Sequence, residues 1–84
     1  MIKINKSLFE EKLNEKLNNA KLSNLEFLEL NAGDFHREVG LYPSKNHRMA
    51  TCSIVMKERM KSNDEIISSP DKGKGASLTI RYYL

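Results

Sequence analysis

The sequence predicts an α+β fold of three helices, a short strand and a C-terminal β-hairpin, and three stretches carry that prediction. In the first, Asn46 to Lys61, the apolar residues Met49, Cys52, Val55, Met56 and Met60 recur at steps of three and four, which gathers them on one stripe of a helix. In the second, SLTIRYYL at the C-terminus, Leu78, Ile80, Tyr82 and Leu84 alternate with Thr79, Arg81 and Tyr83, the period of a strand with one buried face. The third is Asn31 to Gly40, where a capping asparagine opens a short apolar-striped segment and a glycine closes it. Helix, turn, helix and then hairpin is the chain order of a winged helix-turn-helix.

The first helix is expected from about Leu8 to Lys21. Ser7 and Glu10 have the spacing of a capping box, and Leu8 or Phe9, Leu13, Leu17 and Ala20 return at helical intervals. Its other face carries Glu11, Lys12, Glu15 and Lys16, whose Glu-to-Lys spacings of one and five do not make helix neighbours, so that face reads as solubilising. The residues before it, with Ile2 and Ile4 on one side, read as irregular or a short extended lead-in. Leu25–Leu30 is too short for an independent helix and reads as a strand anchored by Phe27. Helix 2 is expected over Ala32–Val39, with Asn31 as N-cap, Asp34 at the positive helix end, and Gly40 ending it in a left-handed conformation. The buried stripe of that helix is Ala32, Phe35 and Val39. His36 and Arg37 read as residues that hold helix 2 to its surroundings by hydrogen bonds or salt bridges.

Pro43 in LYPSK keeps helix 2 from continuing and makes a turn longer than the tight helix-turn-helix uses. Ser44 or Asn46 is expected to cap helix 3 and Ser62-Asn63 to close it. Glu65–Ser68 reads as the first hairpin strand, with residues 70–75 as the tip, the wing.

At 84 residues the chain makes one domain, since domains run from about 50 to 250 residues. At 39% hydrophobic and 30% charged it has the composition of a packed protein rather than a disordered one. There is no apolar run of transmembrane length and no signal-peptide core near the N-terminus, and a single cysteine fits a reducing cytoplasm. The net charge of +3 is unevenly placed. Residues 1–43 hold six Lys/Arg against seven Asp/Glu, and residues 44–84 hold eight against four. The basic excess therefore falls on helix 3 and the hairpin, the elements that such a fold presents to phosphates.

On a wheel at 100° per residue, helix 3 turns His47, Thr51, Ile54, Glu58 and Lys61 away from its apolar stripe, with Ala50 and Lys57 on a flank. His47, Ala50, Thr51 and Ile54 are the candidates for base edges in the major groove. Lys45, Arg48 and Lys57 are the candidates for phosphates, joined by Lys72 and Lys74, interleaved with Gly73 and Gly75 in the wing. An ordinary solvated helix face has the same composition; the element order, more than the residues, favours double-stranded DNA. The competing expectation is a protein partner, with Ile54 in the contact, and homodimerisation through helix 1 is a further option that no heptad run supports.

No metal site, cofactor or catalytic group is expected, so the chain does not read as an enzyme. His36 and Glu38 stand two apart on a helix and do not share a face, and His47 and Cys52 stand five apart. Cys52 lies on the apolar stripe, where a free thiol is inert packing. The GKG pair lacks the spacing of a phosphate-binding P-loop.

The segments AGDFHREVG, YPSKNHRM and GKGASLTIRYYL resemble those of a group of small bacterial proteins. These carry Gly-Asp-hydrophobic-His-Arg, Asn-His-Arg-Met and Gly-x-Gly-Ala-Ser-Leu-Thr-Ile-Arg-Tyr segments. The resemblance covers roughly Asn31 to Leu84. It implies a bacterial or phage origin and a winged-helix fold, and it carries over no catalytic residue.

Overall fold

A computed structural model of the chain describes residues 5–40, 48–69 and 75–84. The elements are α1 (Lys6–Leu22), β1 (Phe27–Asn31), α2 (Ala32–Val39), α3 (Met49–Glu58), β2 (Glu65–Ser68) and β3 (Thr79–Tyr83). The expectations for the lead-in at Ile2 and Ile4, the turn from Leu41, the caps Ser44 and Asn46, and the wing tip at 70–74 fall outside the described residues.

α1 begins earlier than the capping-box spacing suggests. Asn5, in extended backbone, accepts the Leu8 N–H at 2.9 Å through its side chain, so Asn5 and not Ser7 is the N-cap. Asparagine caps as well as serine, and the earlier start leaves the apolar stripe unchanged. It also brings Lys6 to within 3.0 Å of Glu58 on α3. The charged face is not merely solubilising: Lys12 pairs with Glu15 one turn on, and Lys16 reaches Glu38 of α2 at 2.6 Å. The helix stops in a Schellman motif. Asn24 takes a positive φ of 61°, its N–H bonds the Lys21 carbonyl, and the Leu25 N–H bonds that of Ala20.

The three strands form one antiparallel sheet in the order β1-β3-β2. β3 is central, with Leu30 opposite Ile80 in β1 and Ile66 opposite Ile80 in β2. The alternation expected of the last strand holds: Leu78, Ile80 and Tyr82 are buried, while Thr79, Arg81 and Tyr83 are half-buried on the outer face. There Arg81 pairs with Glu29 at 2.6 Å and lies over the Phe27 ring at 4.8 Å. The register between β2 and β3 slips between Ile66 and Ser68. Asp64 finishes this edge by accepting the Lys61 N–H (2.8 Å) and the Tyr83 N–H (2.9 Å) on its two carboxylate oxygens.

The core lies between the inner face of the sheet and the three helices, around Phe9, Leu13, Phe35, Met56, Ile80 and Tyr82. Each fully buried side chain of this size contributes about 1.5–3 kcal/mol of transfer free energy. Tyr82 keeps its hydroxyl satisfied by donating to the Met56 carbonyl at 2.6 Å, and burial holds its ionisation well above the ordinary phenol range.

Candidate nucleic-acid interface

α3 is shorter than its sequence pattern, ending at Glu58 where a run to Lys61 is expected and starting at Met49 where a start at Asn46 is expected. The stripe of Met49, Cys52, Val55 and Met56 is buried as expected, and Met60 is half-buried beyond the helix. The buried arc is wider than that stripe, because Ser53 is also fully enclosed. Its hydroxyl has no hydrogen-bond partner among the described residues.

The widening changes the opposite face. Ala50 and Arg48 are exposed, whereas Thr51, Ile54 and Lys57 are half-buried rather than open to solvent. The solvent-facing strip of α3 is therefore narrower than expected, with Ala50 exposed and Thr51 and Ile54 half-buried at its margins. His47, Lys45, Lys72 and Lys74 lie outside the described residues.

The start of α3 is positioned from a distance. Its N-cap, Arg48, makes no side-chain cap. Instead the Arg48 N–H donates to Nε2 of His36 on α2, at 2.8 Å. The accepting nitrogen must be unprotonated, which places the ring proton on Nδ1. His36 is fully buried, and its ring meets Phe9 of α1 edge-on at 5.0 Å. One imidazole thus ties α1, α2 and the first turn of α3 together. The sequence contains a signal for this: His36 stands four residues after Ala32 and three before Val39, on the same stripe as Phe35. It is easily passed over because the residue is polar.

The start of α2 is also tied down. Asn31 accepts the Asp34 N–H at 3.0 Å, as the capping pattern predicts. The Ala32 and Gly33 N–H groups donate to the carbonyls of Leu78 (2.8 Å) and Ala76 (3.0 Å), just before β3. A Cβ at Gly33 would lie 3.2 Å from the Ala76 Cβ and carbonyl oxygen, a tight contact that the approach to β3 would have to relieve by a few tenths of an ångström. At the other end Gly40 has φ 132° and ψ 165°, a positive-φ conformation that favours glycine, though not the expected helical left-handed one. Cys52 links the two helices by directing its thiol at the Ala32 carbonyl, 3.7 Å away, and burial pushes its pKa up to about 12. A thiol so held is no nucleophile near neutrality.

Among the described residues no three His, Cys, Asp or Glu side chains converge as metal ligands, and no helix is long and apolar enough to cross a membrane. Comparison with known proteins finds no matching family, no matching curated protein and no matching solved structure.

Proposed function

We propose that this domain is a winged helix that binds double-stranded DNA, with α3 in the major groove and the β2–β3 connection, residues 70–75, resting on the adjacent backbone. The observation that carries this reading is the order helix, strand, helix, helix, strand, strand, joined to a sheet in which β3 lies between β1 and β2. That arrangement supports a recognition role for α3, whose buried side meets α1 and α2 and whose other side bears Ala50, Thr51 and Ile54. Arg48, Lys57 and, in the wing, Lys72 and Lys74 supply the phosphate contacts, with Lys45 before the helix. The role is regulatory or DNA-targeting, in a bacterial or phage cytoplasm, with no catalytic step and no cofactor.

Titration of random-sequence duplex DNA across a salt series tests this. Affinity falls as salt rises, with a log–log slope of about −0.9 per phosphate neutralised, and the few cations near α3 make the slope shallow. Absence of binding at low salt, or binding indifferent to salt, overturns the proposal. The second reading, a winged helix used as a protein-interaction module, draws on one observation. The large apolar side chains exposed among the described residues are Leu22, Leu25, Phe27, Ile66 and Ile67, none of them on α3.

A further inference from the structure

The cations of the described residues fall into distinct groups. Lys6, Lys12, Lys16, Arg37 and Arg81 each lie 2.6–3.4 Å from a carboxylate. Lys21, Arg59 and Lys61 have no carboxylate partner among the described residues, and all three line one small cavity of about 30 Å³ where α1, α3 and β3 end. Asn18, Leu17, Tyr82 and Leu84 complete its wall. Asp64 is also there, with both its oxygens accepting backbone N–H groups, so the charged side chains on the cavity wall are three cations and one anion. Arg59 is oriented by donating its Nε–H to Asn14 at 3.2 Å, and Lys61 by donating from Nζ to the Tyr83 carbonyl at 3.1 Å. Both anchors leave further N–H groups for a ligand.

This surface is not the one proposed for DNA. Arg59 follows Ala50 by nine residues, half a turn round the helix at 100° per residue, and the ten residues of α3 span about 15 Å. Its guanidinium points toward α1, behind the strip that carries Ala50 and Ile54. Leu22, one residue after Lys21 and one helical turn beyond Asn18 of the cavity wall, is 82% exposed. The adjoining groove between α1 and α3, lined by Glu10 and Glu58 as well as Arg59, repels negative charge and so limits where an anion settles.

We infer that the cavity bounded by Lys21, Arg59 and Lys61, with Leu22 at its side, is a docking site for an acidic protein segment that carries an apolar side chain. Carboxylates of the segment meet the three cations and its apolar residue covers Leu22. The site serves an acidic partner whether or not α3 binds DNA.

The test is an NMR titration of the ¹⁵N-labelled protein with a synthetic peptide of alternating Glu and Leu, with its Gln-for-Glu counterpart, and separately with duplex DNA. The Glu peptide is expected to shift the amides of Lys21, Leu22, Arg59, Lys61 and Leu84, and the Gln peptide to leave them in place. Lys21→Gln with Arg59→Gln raises the peptide Kd at least tenfold. Lys21→Gln alone, at an exposed position whose side chain has no bonding partner among the described residues, raises it severalfold with an unchanged melt. The inference is overturned if the Glu peptide shifts none of these amides, if the Gln peptide binds equally well, or if the variants bind it like the wild type. It is also overturned if duplex DNA shifts the same amides, because the cluster is then a phosphate contact.

Discussion

The starts of α2 and α3 solve the same problem in different ways. Both must satisfy N–H groups that have no partner within the helix. α2 carries its own cap, Asn31, three residues before the Asp34 N–H it accepts, and draws its other two acceptors from the approach to β3. α3 has no cap of its own, and the Arg48 N–H is held by an imidazole twelve residues earlier in the chain. Both starts therefore lean on the assembled fold, and α2 adds a local cap that α3 lacks. A helix capped by another helix begins where the packing puts it, so the position of α3 depends on the fold around it.

Breaking the distant cap has the largest effect. His36→Leu keeps an apolar volume against Phe9 but removes the acceptor, leaving the Arg48 N–H without its partner at a cost of about 2 kcal/mol. For a chain of this size the melting temperature falls by roughly 8–16 °C, and a thermal melt by circular dichroism measures it. His36→Gln, whose side-chain oxygen can take the place of Nε2, recovers part of the loss. If the two variants melt alike, the ring matters for packing and not as a cap.

Removing the local cap does less. Asn31→Ala costs about 1 kcal/mol in a urea titration, because the Leu78 and Ala76 carbonyls still hold two of the first three N–H groups. Amide exchange then rises at Asp34 and not at Ala32 or Gly33.

The link between the two helix starts sharpens the comparison through pH. Burial raises the Cys52 thiol from 9.0 to about 12, so the folded protein holds this proton more tightly than the unfolded chain. Its contribution to stability is complete below pH 9 and is lost as pH rises from 9 to 12. Tyr82, raised by the same cause, adds to the loss in the same direction. Denaturant midpoints across this window decline, and Cys52→Ala declines less steeply. At pH 8 a thiol reagent modifies Cys52 only as fast as the domain unfolds.

The smallest effect is at Ser7. With Asn5 as the cap of α1, Ser7→Ala changes stability by no more than about 0.5 kcal/mol, while Asn5→Ala costs about 1 kcal/mol. The reverse order in paired urea titrations restores the capping box at Ser7.

The same contrast explains what the sequence made legible. The bounds of α2 and β2 and the inward face of β3 follow from local signals: Asn31 with Asp34, the apolar pair Ile66-Ile67, and strict alternation from Leu78. The bounds of α3 do not, because the sequence runs helix-compatible from Asn46 to Lys61 and the stops come from elsewhere. His36 fixes one end, and Asp64, capturing the Lys61 N–H, turns the chain at the other. The candidate site was legible to the same degree. The wheel separated Ala50 from the core stripe correctly, but burial of Ser53 on the flank and half-burial of Thr51 and Ile54 depend on how α1 and α2 pack. The cavity of Lys21, Arg59 and Lys61 joins residues 38 and 40 positions apart, which no local pattern reveals.

For the proposed presentation of α3 to DNA, the decisive measurement is the set of amide shifts of the labelled protein on titration with a random-sequence duplex. Low-salt shifts concentrated at Arg48, Ala50, Thr51, Ile54 and Lys57, fading as salt is raised, are expected. Shifts centred instead on the outer sheet face around Phe27, Arg81 and Tyr83, or no shifts at all, would contradict that proposal.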